Sequence, residues 1–351
     1  MKTIHSLILL VVAIAFTTTQ SSATIRRVNN QGFGANYTNL ATCIAASSPN
    51  DTIHVEASGV GYGFITLNIP LTIIGPGYFL NENPGLQKNN TPATINNITL
   101  NSGASGTLIT GIRVADNQAA RININASNIR IERCYIEDGI TFQNPSDPST
   151  ILNNISIKQC YCGGISVPNN GVGPINGLNI SNCYFSGVVN ISSAGIDEVG
   201  NAQGNVTHCV FNTNLNCWSS NMEFKYNIIK GGTFQQNNNS ITNVNYNLFV
   251  ATVMPTWLDI IGNTNKIKSS VADVFPNTTG STDFKLNVNT IALCPECYMT
   301  ATNIQTGIFG GIDPYKLSGI PNVPTIYMIN APAQSVQGGT ININLSTRSN
   351  D

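Results

Sequence analysis

The acidic residues that stand closest together in this chain are the pairs Glu137-Asp138 and Asp197-Glu198. Paired carboxylates hydrolyse glycosidic bonds, one acting as acid and the other as base or nucleophile. Clustered carboxylates beside a basic residue can instead hold Ca²⁺ on a uronate and abstract its proton, as a polysaccharide lyase requires. The chain has only 17 acidic residues and they are otherwise scattered, so we predict no catalytic residue. If the chain is such an enzyme, the candidates are Asp147, Asp197 and Glu198.

Histidine and cysteine are sparse in the arrangements that carry metal or nucleophile chemistry. Beyond the first 23 residues only His54 and His208 occur, and neither has an identifiable triad partner. We interpret both as structural or surface residues. Cys294 and Cys297 have the spacing of a redox motif, but no βαβ pattern surrounds them and a zinc site would need a second pair. They are equally compatible with a local disulfide, and we predict neither a metal nor a cofactor.

The charge of the chain and its N-terminus restrict the partners and the location. The formal net charge is −1 and charged residues make up 9% of the chain, so nothing favours nucleic acid or an anionic membrane as a partner. Lys2, an apolar run over 7–16 and small residues at 21–23 form the three parts of a secretory leader. That run is shorter than the roughly 20 residues of a membrane span. We expect residues 1–23 to be a cleaved signal peptide and the mature protein to be secreted or on the cell surface, with no integral membrane span.

A six-residue pattern recurs through the middle of the chain and defines a repeat. Its fourth residue is Cys or Asn in six copies: Cys134, Cys160, Cys183, Cys209, Asn227 and Asn247. The spacing averages about 22 residues, which is typical of solenoids. Around each copy Ile and Val alternate with polar residues, as in half-buried strands, and no helical period is present. We predict an all-β fold, a single right-handed parallel β-helix, whose turns use Gly139, Gly163-Gly164, Gly187 and Gly231-Gly232 for positive φ.

The repeated Cys or Asn position is expected to face the interior of the solenoid. Equivalent residues of stacked coils lie about 4.8 Å apart, which is within the Cα separation that a disulfide tolerates. Cys134 could therefore bridge to Cys160, and Cys183 to Cys209, as an exported chain would favour. The alternative, which we prefer, is a row of buried and inert thiols.

Three consecutive coils are lengthened at the same point of the repeat. The insertions cover residues 143–150, 168–177 and 192–204. Loops inserted at one point of successive coils emerge on one edge and stack into a ridge. We predict that Asn169, Asn170 and Asp197 of this ridge contribute to ligand binding, the alternative being surface loops that tolerate insertion and bind nothing.

Tyr135, Tyr161 and Tyr184 share the position that follows each repeated cysteine. If these rings face outward, they form a ladder that can stack on sugar rings; if they face inward, they are core aromatics whose hydroxyls need partners. We predict them as ligand-binding residues and keep simple packing as the alternative.

Asn-X-Ser/Thr sequences are frequent, for example at Asn97, Asn154, Asn179 and Asn190. In a chain this rich in Asn they are expected by chance. We therefore attach no function to them.

The two ends of the chain complete the fold prediction by resemblance. Residues 37–78, with Asp51-Thr-Ile-His-Val and Leu71-Thr-Ile-Ile-Gly-Pro-Gly-Tyr, resemble the opening coils of bacterial pectate-lyase-like β-helix proteins, in which 38–47 would be a capping helix. Residues 307–326, beginning Gly307-Ile-Phe-Gly-Gly-Ile-Asp-Pro-Tyr, resemble the closing block of the same exported proteins. The resemblance implies a β-helix over 24–315 and a C-terminal cap over 316–351.

Architecture does not decide activity, because this fold hosts lyases, hydrolases, adhesins and inert spacers. The Asn-Thr-Asp, Asp-Asp, Gly-His-Gly and Arg-Ile-Lys segments of polygalacturonase-type hydrolases do not occur in the sequence. We therefore predict a non-catalytic β-helix that binds, or presents a surface to, an extracellular polysaccharide. A divergent polysaccharide lyase or glycoside hydrolase is one alternative, and a structural or adhesin shaft is another.

Overall fold

Three parallel sheets wind around a common interior in the computed structural model. It describes residues 23–116, 120–142, 151–167, 175–192, 202–218, 221–236, 243–250, 264–268, 304–332 and 337–350, with a short strand at 298–299 and a few single positions. The sheets form a right-handed β-helix of about eight turns, which confirms the predicted fold class. Among the described residues, no helix is long and apolar enough to cross a membrane.

Each full coil contributes one strand to each sheet. The first sheet contains β1 (Ile25–Val28), β2 (Thr52–Val55), β4 (Thr72–Ile74), β7 (Leu108–Thr110), β10 (Arg130–Glu132), β13 (Leu152–Lys158), β16 (Ile175–Ser181), β19 (Ala202–Thr207), β22 (Asn221–Lys225) and β25 (Asn243–Asn245). The second contains β5 (Thr94–Ile95), β8 (Arg113–Val114), β11 (Tyr135–Ile136), β14 (Tyr161–Cys162), β17 (Tyr184–Phe185), β20 (Val210–Phe211), β23 (Ile228–Ile229), β26 (Leu248–Val250) and β27 (Lys266–Lys268). The third contains β3 (Phe64–Leu67), β6 (Asn97–Leu100), β9 (Arg121–Ile124), β12 (Gly139–Phe142), β15 (Ile165–Ser166), β18 (Val189–Ser192), β21 (Leu215–Trp218) and β24 (Phe234–Gln236).

Several elements of the described chain lie outside the three sheets. They are the helix α1 (Leu40–Ala45), two 3₁₀ turns (Ser102–Ala104 and Leu317–Gly319), and two antiparallel pairs, β28 (Tyr298–Met299) with β29 (Ile304–Gln305) and β30 (Thr325–Asn330) with β31 (Asn344–Arg348). The helix predicted within 38–47 is present, with the shorter bounds Leu40–Ala45. The Asn39 side chain accepts a hydrogen bond from the Thr42 N–H at 2.9 Å and so caps α1. Leu40 and Cys43 are buried on its inner face.

The apolar half of each strand builds the interior. Ile109, Ile131, Ile157 and Ile180 lie in register on successive strands of the first sheet and are at most 1% exposed. Residues beside them on the same strands point outward, because side chains alternate along a strand. Stacking of the coils therefore produces one continuous core, and the length of this core increases with the number of coils.

The repeated Cys or Asn position faces this core at the corner between the first and second sheets. All six repeated residues are fully buried, and the row continues to Asn265. The residue before each of them has a left-handed backbone, with φ between 53° and 57°: Arg133, Gln159, Asn182, His208, Tyr226 and Tyr246. The single left-handed residue lies where the chain bends from a strand of the first sheet into a strand of the second, and the repeated residue that follows it is buried in the core.

The cysteines that the structure describes are free thiols, and all of them are buried. The cross-coil disulfides between Cys134 and Cys160 and between Cys183 and Cys209 are therefore not formed. Burial raises the pKa of Cys134 and Cys183 well above the usual thiol value, which disfavours the reactive thiolate. Cys294 and Cys297 lie outside the described residues.

The glycines that the sequence analysis assigned to turns lie at the corner between the second and third sheets, and they are required there for two different reasons. Gly139 and Gly232 have positive φ, as predicted. The prediction is wrong for the four others, none of which has a positive φ: Gly163, Gly164, Gly187 and Gly231. A Cβ at Gly163 would lie 2.0 Å from the Glu137 carbonyl oxygen, so the close approach of neighbouring coils excludes a side chain there.

The segment 304–320, which we call the C-terminal strap, returns along the outside of the corner towards the N-terminal coils. The left-handed corner residues hold it. Asn182 donates to the Ile308 carbonyl at 3.0 Å, Gln159 to the Pro314 carbonyl at 2.6 Å, and Arg133 to the Ile320 carbonyl at 2.8 Å. An ion pair between Lys158 and Asp313 adds to these contacts.

The strap also packs on His208. The imidazole stacks on Tyr226 with a centroid distance of 5.2 Å, faces Gly310 and Gly311 of the strap, and has its Nε2 buried without a hydrogen-bond partner among the described residues. Burial lowers the pKa of His208 to about 4.

Burial of His208 makes the stability of the protein depend on pH. The imidazole binds a proton near pH 6.5 in the unfolded chain but only near pH 4 in the folded chain, so the contribution of His208 to the free energy of unfolding is complete above pH 6.5. It is lost as the pH falls towards 4, by on the order of 3 kcal/mol. Urea unfolding between pH 7.5 and 4.5 should show a shallower loss for His208→Gln than for the wild type. His54, whose pKa is also lowered by burial, keeps part of the slope. Equal slopes for the two proteins would contradict the assignment.

Candidate functional site

The three tyrosines predicted to bind a ligand lie on the outer side of the second sheet. Their rings stack in a row, with centroid distances of 5.1 Å from Tyr135 to Tyr161 and 5.2 Å from Tyr161 to Tyr184. They face away from the interior of the solenoid, yet Tyr161 is 8% and Tyr184 is 4% exposed. Tyr78, the strap and its Tyr315 pack with them into a second apolar cluster. A sugar could therefore not stack on these two rings without displacing the strap.

Tyr135 is the only one of the three that is partly exposed. The Arg113 guanidinium lies 5.6 Å from its ring centroid, and burial raises the pKa of Tyr135 to about 12. The row is thus packed against the strap over most of its length, and ligand binding by the three tyrosines stays a prediction.

The flanking strands of the predicted ridge are described, but most of its residues are not. The three insertions connect β12 to β13, β15 to β16 and β18 to β19, so each one joins the third sheet to the first. Residues 143–150, 168–174 and 193–201 lie outside the described residues, and the ridge stays a prediction. Asp147, Asn169, Asn170, Asp197 and Glu198 lie outside the described residues, so their roles stay predictions.

The outer face of the first sheet has a shallow groove of about 570 Å³. Its lining consists of amide side chains, one carboxylate, two glycines and Met222, whose side chain is buried in the core: Asn179, Gln203, Asn205, Asn221, Asn243, Glu223, Gly177, Gly204 and Met222. We call it the amide groove. It spans β16, β19, β22 and β25, which are four successive coils.

Strand register lines up the polar side chains of the amide groove. Asn205 pairs with Asn179 on one side and with Glu223 on the other, and Glu223 pairs with Asn243. Each of these four residues stands four positions before one of the repeated Cys or Asn residues. Because strands pair about 4.8 Å apart, these side chains repeat at that interval along the groove.

Two glycines open the hollow beside this row. A register shift on β16 makes Gly177 an extra residue, with φ 73°, in the manner of a β-bulge. On β19, a Cβ at Gly204 would lie 1.9 Å from the Leu178 carbonyl oxygen. Gly177 bulges without a side chain, and Gly204 shares the register of Leu178 and Met222, whose side chains are buried in the core. Neither glycine places a side chain on the outer face, so the floor of the groove stays open.

The polar groups of the groove retain hydrogen-bonding capacity. The Asn205 amide donates to Asn179 Oδ1 at 3.2 Å, which uses one of its two N–H groups. Gln203 and Asn221 are exposed and make no side-chain hydrogen bond within the described residues. Glu223 pairs with Lys225 at 2.5 Å, so the groove offers donors and acceptors with little net charge.

The amide groove has few groups that could carry out catalysis or bind a metal ion. Glu223 is the single carboxylate among the described lining residues, whereas glycoside hydrolysis uses two. In the part of the chain that the structure describes, no group of three or more His, Cys, Asp or Glu residues could hold a metal ion. The chemistry that the groove supports is recognition of hydroxyl or amide groups.

A second cleft of about 420 Å³ contains His54. Pro76, Pro321, Ile326 and Ile329 give it mainly apolar walls. Among the described residues of this cleft there is no serine or cysteine to act as a nucleophile. Glu56, Lys88 and Thr325 line the same cleft, and the interpretation of His54 as a structural or surface residue stays a prediction.

The amide groove has a signal in the sequence that the Asn-X-Ser/Thr pattern conceals. Asn179-Ile-Ser and Asn205-Val-Thr occur at the same distance from Cys183 and Cys209. The Asn-X-Ser pattern at Asn179 carries no information, because such patterns occur by chance in this chain. The position of Asn179 in the repeat does carry information, because it places the side chain on the outer face of the sheet. Alignment of Asn at an outward repeat position is the pattern that indicates such a groove.

Comparison with protein-family models, with curated proteins and with solved structures gave no match for this chain.

Proposed function

We propose that this protein is a non-catalytic β-helix that binds an extracellular polysaccharide along the amide groove. The observation that carries the proposal is the run of aligned polar side chains, mostly amides, over four coils, with a glycine floor between them. Amides offer both donors and acceptors, which is what the hydroxyl groups of sugars require. A leader-like N-terminus supports secretion or surface display.

The shape of the groove favours an extended ligand over a small one. It is open along the solenoid axis and repeats the same side-chain type from coil to coil. A polymer with a regular repeat can contact several coils at once, and contacts that are individually weak then add up. The low charge of the lining favours a neutral polysaccharide over a polyuronate.

The enzyme alternative remains a proposal of lower rank because it depends on the ridge. Asp147, Asp197 or Glu198 would have to supply the carboxylate that Glu223 lacks as a partner. Incubation with neutral and uronic-acid polysaccharides, followed by assays for new reducing ends and unsaturated uronates, should show no turnover. Turnover that is lost in Asp197→Ala would replace binding by catalysis. A plain shaft would neither bind nor cleave.

Affinity electrophoresis through gels that contain single polysaccharides tests the binding proposal. We expect retardation by at least one neutral polysaccharide, and a loss of affinity of about 30-fold in the double variant Asn179→Ala/Asn205→Ala, because each side chain contributes about 1 kcal/mol through its hydrogen bonds.

The matched control is Asn190→Ala/Asn216→Ala. These two residues form the same kind of pair, with a hydrogen bond of 2.6 Å, on adjacent strands of the third sheet. The control should bind like the wild type. Equal losses in both double variants would show that the groove is not the binding surface.

A further inference from the structure

The antiparallel ribbon of β30 and β31 is joined to the rest of the molecule mainly at its base. The Lys88 N–H donates to the Ile326 carbonyl at 2.9 Å, and the Arg348 guanidinium donates to the Leu86 carbonyl. Further along, the ribbon pairs only with itself among the described residues. A two-stranded ribbon is marginally stable alone in water, so it requires packing against another surface.

The sequence that leads into β31 has the alternation of a strand that is buried on one face. Ile341, Ile343 and Leu345 alternate with Asn342, Asn344 and Ser346, a pattern that predicts one face against a core. The structure leaves the apolar members exposed, by 52%, 58% and 58% respectively. Ile329 is the cross-strand partner of Leu345 and extends the same face at 41% exposure.

This face is apolar along its length. Ile326 pairs with Thr347 and lies on it, whereas Met328 pairs with Ser346 and Tyr327 contacts the Arg348 guanidinium on the opposite face. Near its base the apolar face also lines the cleft that contains His54, and contiguous exposed apolar side chains of this kind mark interaction surfaces. The chain between Lys316 and Arg348 contains no charged residue. The lysines that usually protect an exposed strand edge are therefore missing.

We infer that this ribbon is a dimerisation surface whose partner is the same ribbon of a second copy. A flat, uncharged apolar face is matched by another such face, and the exposed large hydrophobic residues of the described chain concentrate on this ribbon. Two ribbons meet without like-charge repulsion because neither apolar face carries a charge. A two-fold axis lets each ribbon present the same patch to the other.

Light scattering after size-exclusion chromatography of the whole chain, over a range of concentrations, tests this inference. We expect the wild type to have twice the 37.4 kDa mass of one chain. Ile343→Lys should reduce the mass to that of one chain with an unchanged circular dichroism spectrum, because the substituted side chain is 58% exposed within one chain. Asn344→Lys, on the opposite face of the same alternating segment, should remain dimeric.

Three results would overturn the inference. They are a wild type that is monomeric at every concentration, equal effects of lysine at 343 and 344, or a monomeric wild type that co-sediments with phosphatidylcholine vesicles. The last result would assign the face to lipid. Polysaccharide binding is measured on a different surface and in a different assay, so its failure and the failure of dimerisation are distinguishable.

Discussion

Replacement of Asn227 by alanine is expected to lower the free energy of unfolding by about 4 kcal/mol, because up to three buried polar groups lose their partner. The Asn227 amide donates to the Val206 carbonyl at 2.8 Å and to Asn247 Oδ1 at 2.9 Å. Its Oδ1 accepts from the Cys209 N–H at 2.8 Å. One side chain therefore links three consecutive coils in an interior where water cannot replace it.

Cys183→Ala is the matched comparison for Asn227→Ala. Cys183 occupies the same repeat position and is equally buried, but its thiol makes only weak sulfur hydrogen bonds, such as the one of 3.5 Å to the Ile157 carbonyl. Its loss should cost about 1 kcal/mol, as for a small buried apolar group. Urea unfolding followed by circular dichroism measures both variants. Equal destabilisation would mean that the amides of this row are no more important than its thiols.

Gly319→Ala is expected to release the C-terminal strap and to destabilise the protein by on the order of 4 kcal/mol. Gly319 has φ 54°, and a Cβ there would lie 2.3 Å from the Tyr78 ring and 2.5 Å from the Arg133 carbonyl oxygen. The ring cannot move aside, because Tyr78 is fully buried and its hydroxyl is hydrogen-bonded to that of Tyr315 at 2.6 Å. The strap must therefore shift if the methyl group is present.

The control for Gly319→Ala is Gly338→Ala. Gly338 also has a positive φ, 80°, but a Cβ there would meet no atom within 4 Å beyond its chain neighbours, so only the backbone penalty of about 1 kcal/mol applies. Release of the strap exposes Tyr161 and Tyr184, and we expect Gly319→Ala to bind a hydrophobic dye and to be cleaved within 304–320 by protease. A protease-resistant Gly319→Ala variant would contradict the proposed role of the strap.

The coils are predictable from the sequence because their determinants are local. Alternation around Ile131 or Ile157 sets which side of a strand is buried, and the recurrence of Cys and Asn sets the register. The left-handed corners are not predictable from composition, because Arg133 and Tyr226 are not residue types that favour positive φ. Corner sterics and the neighbouring coils impose that conformation on them.

The environment of the tyrosine row cannot be inferred from its own sequence. Tyr161 and Tyr184 are covered by residues more than 120 positions later in the chain, including Ile308 and Tyr315. The sequence leaves an outward and an inward alternative, and the structure combines them, since the rings point outward into a second core. The amide groove is predictable in part, because Asn179 and Asn205 share a repeat position. The hollow beside them is not, because it depends on the bulge at Gly177 after the coils have stacked.

The most direct measurement is the nuclear magnetic resonance spectrum of the side-chain amides of asparagine, recorded while a polysaccharide that retards the protein is added. Binding in the amide groove predicts that the signals of Asn179, Asn205 and Asn221 shift in proportion to bound ligand, while those of Asn190 and Asn216 on the third sheet stay unchanged. Shifts confined to the third sheet, or no shift in the groove at saturating polysaccharide, would contradict binding along the amide groove.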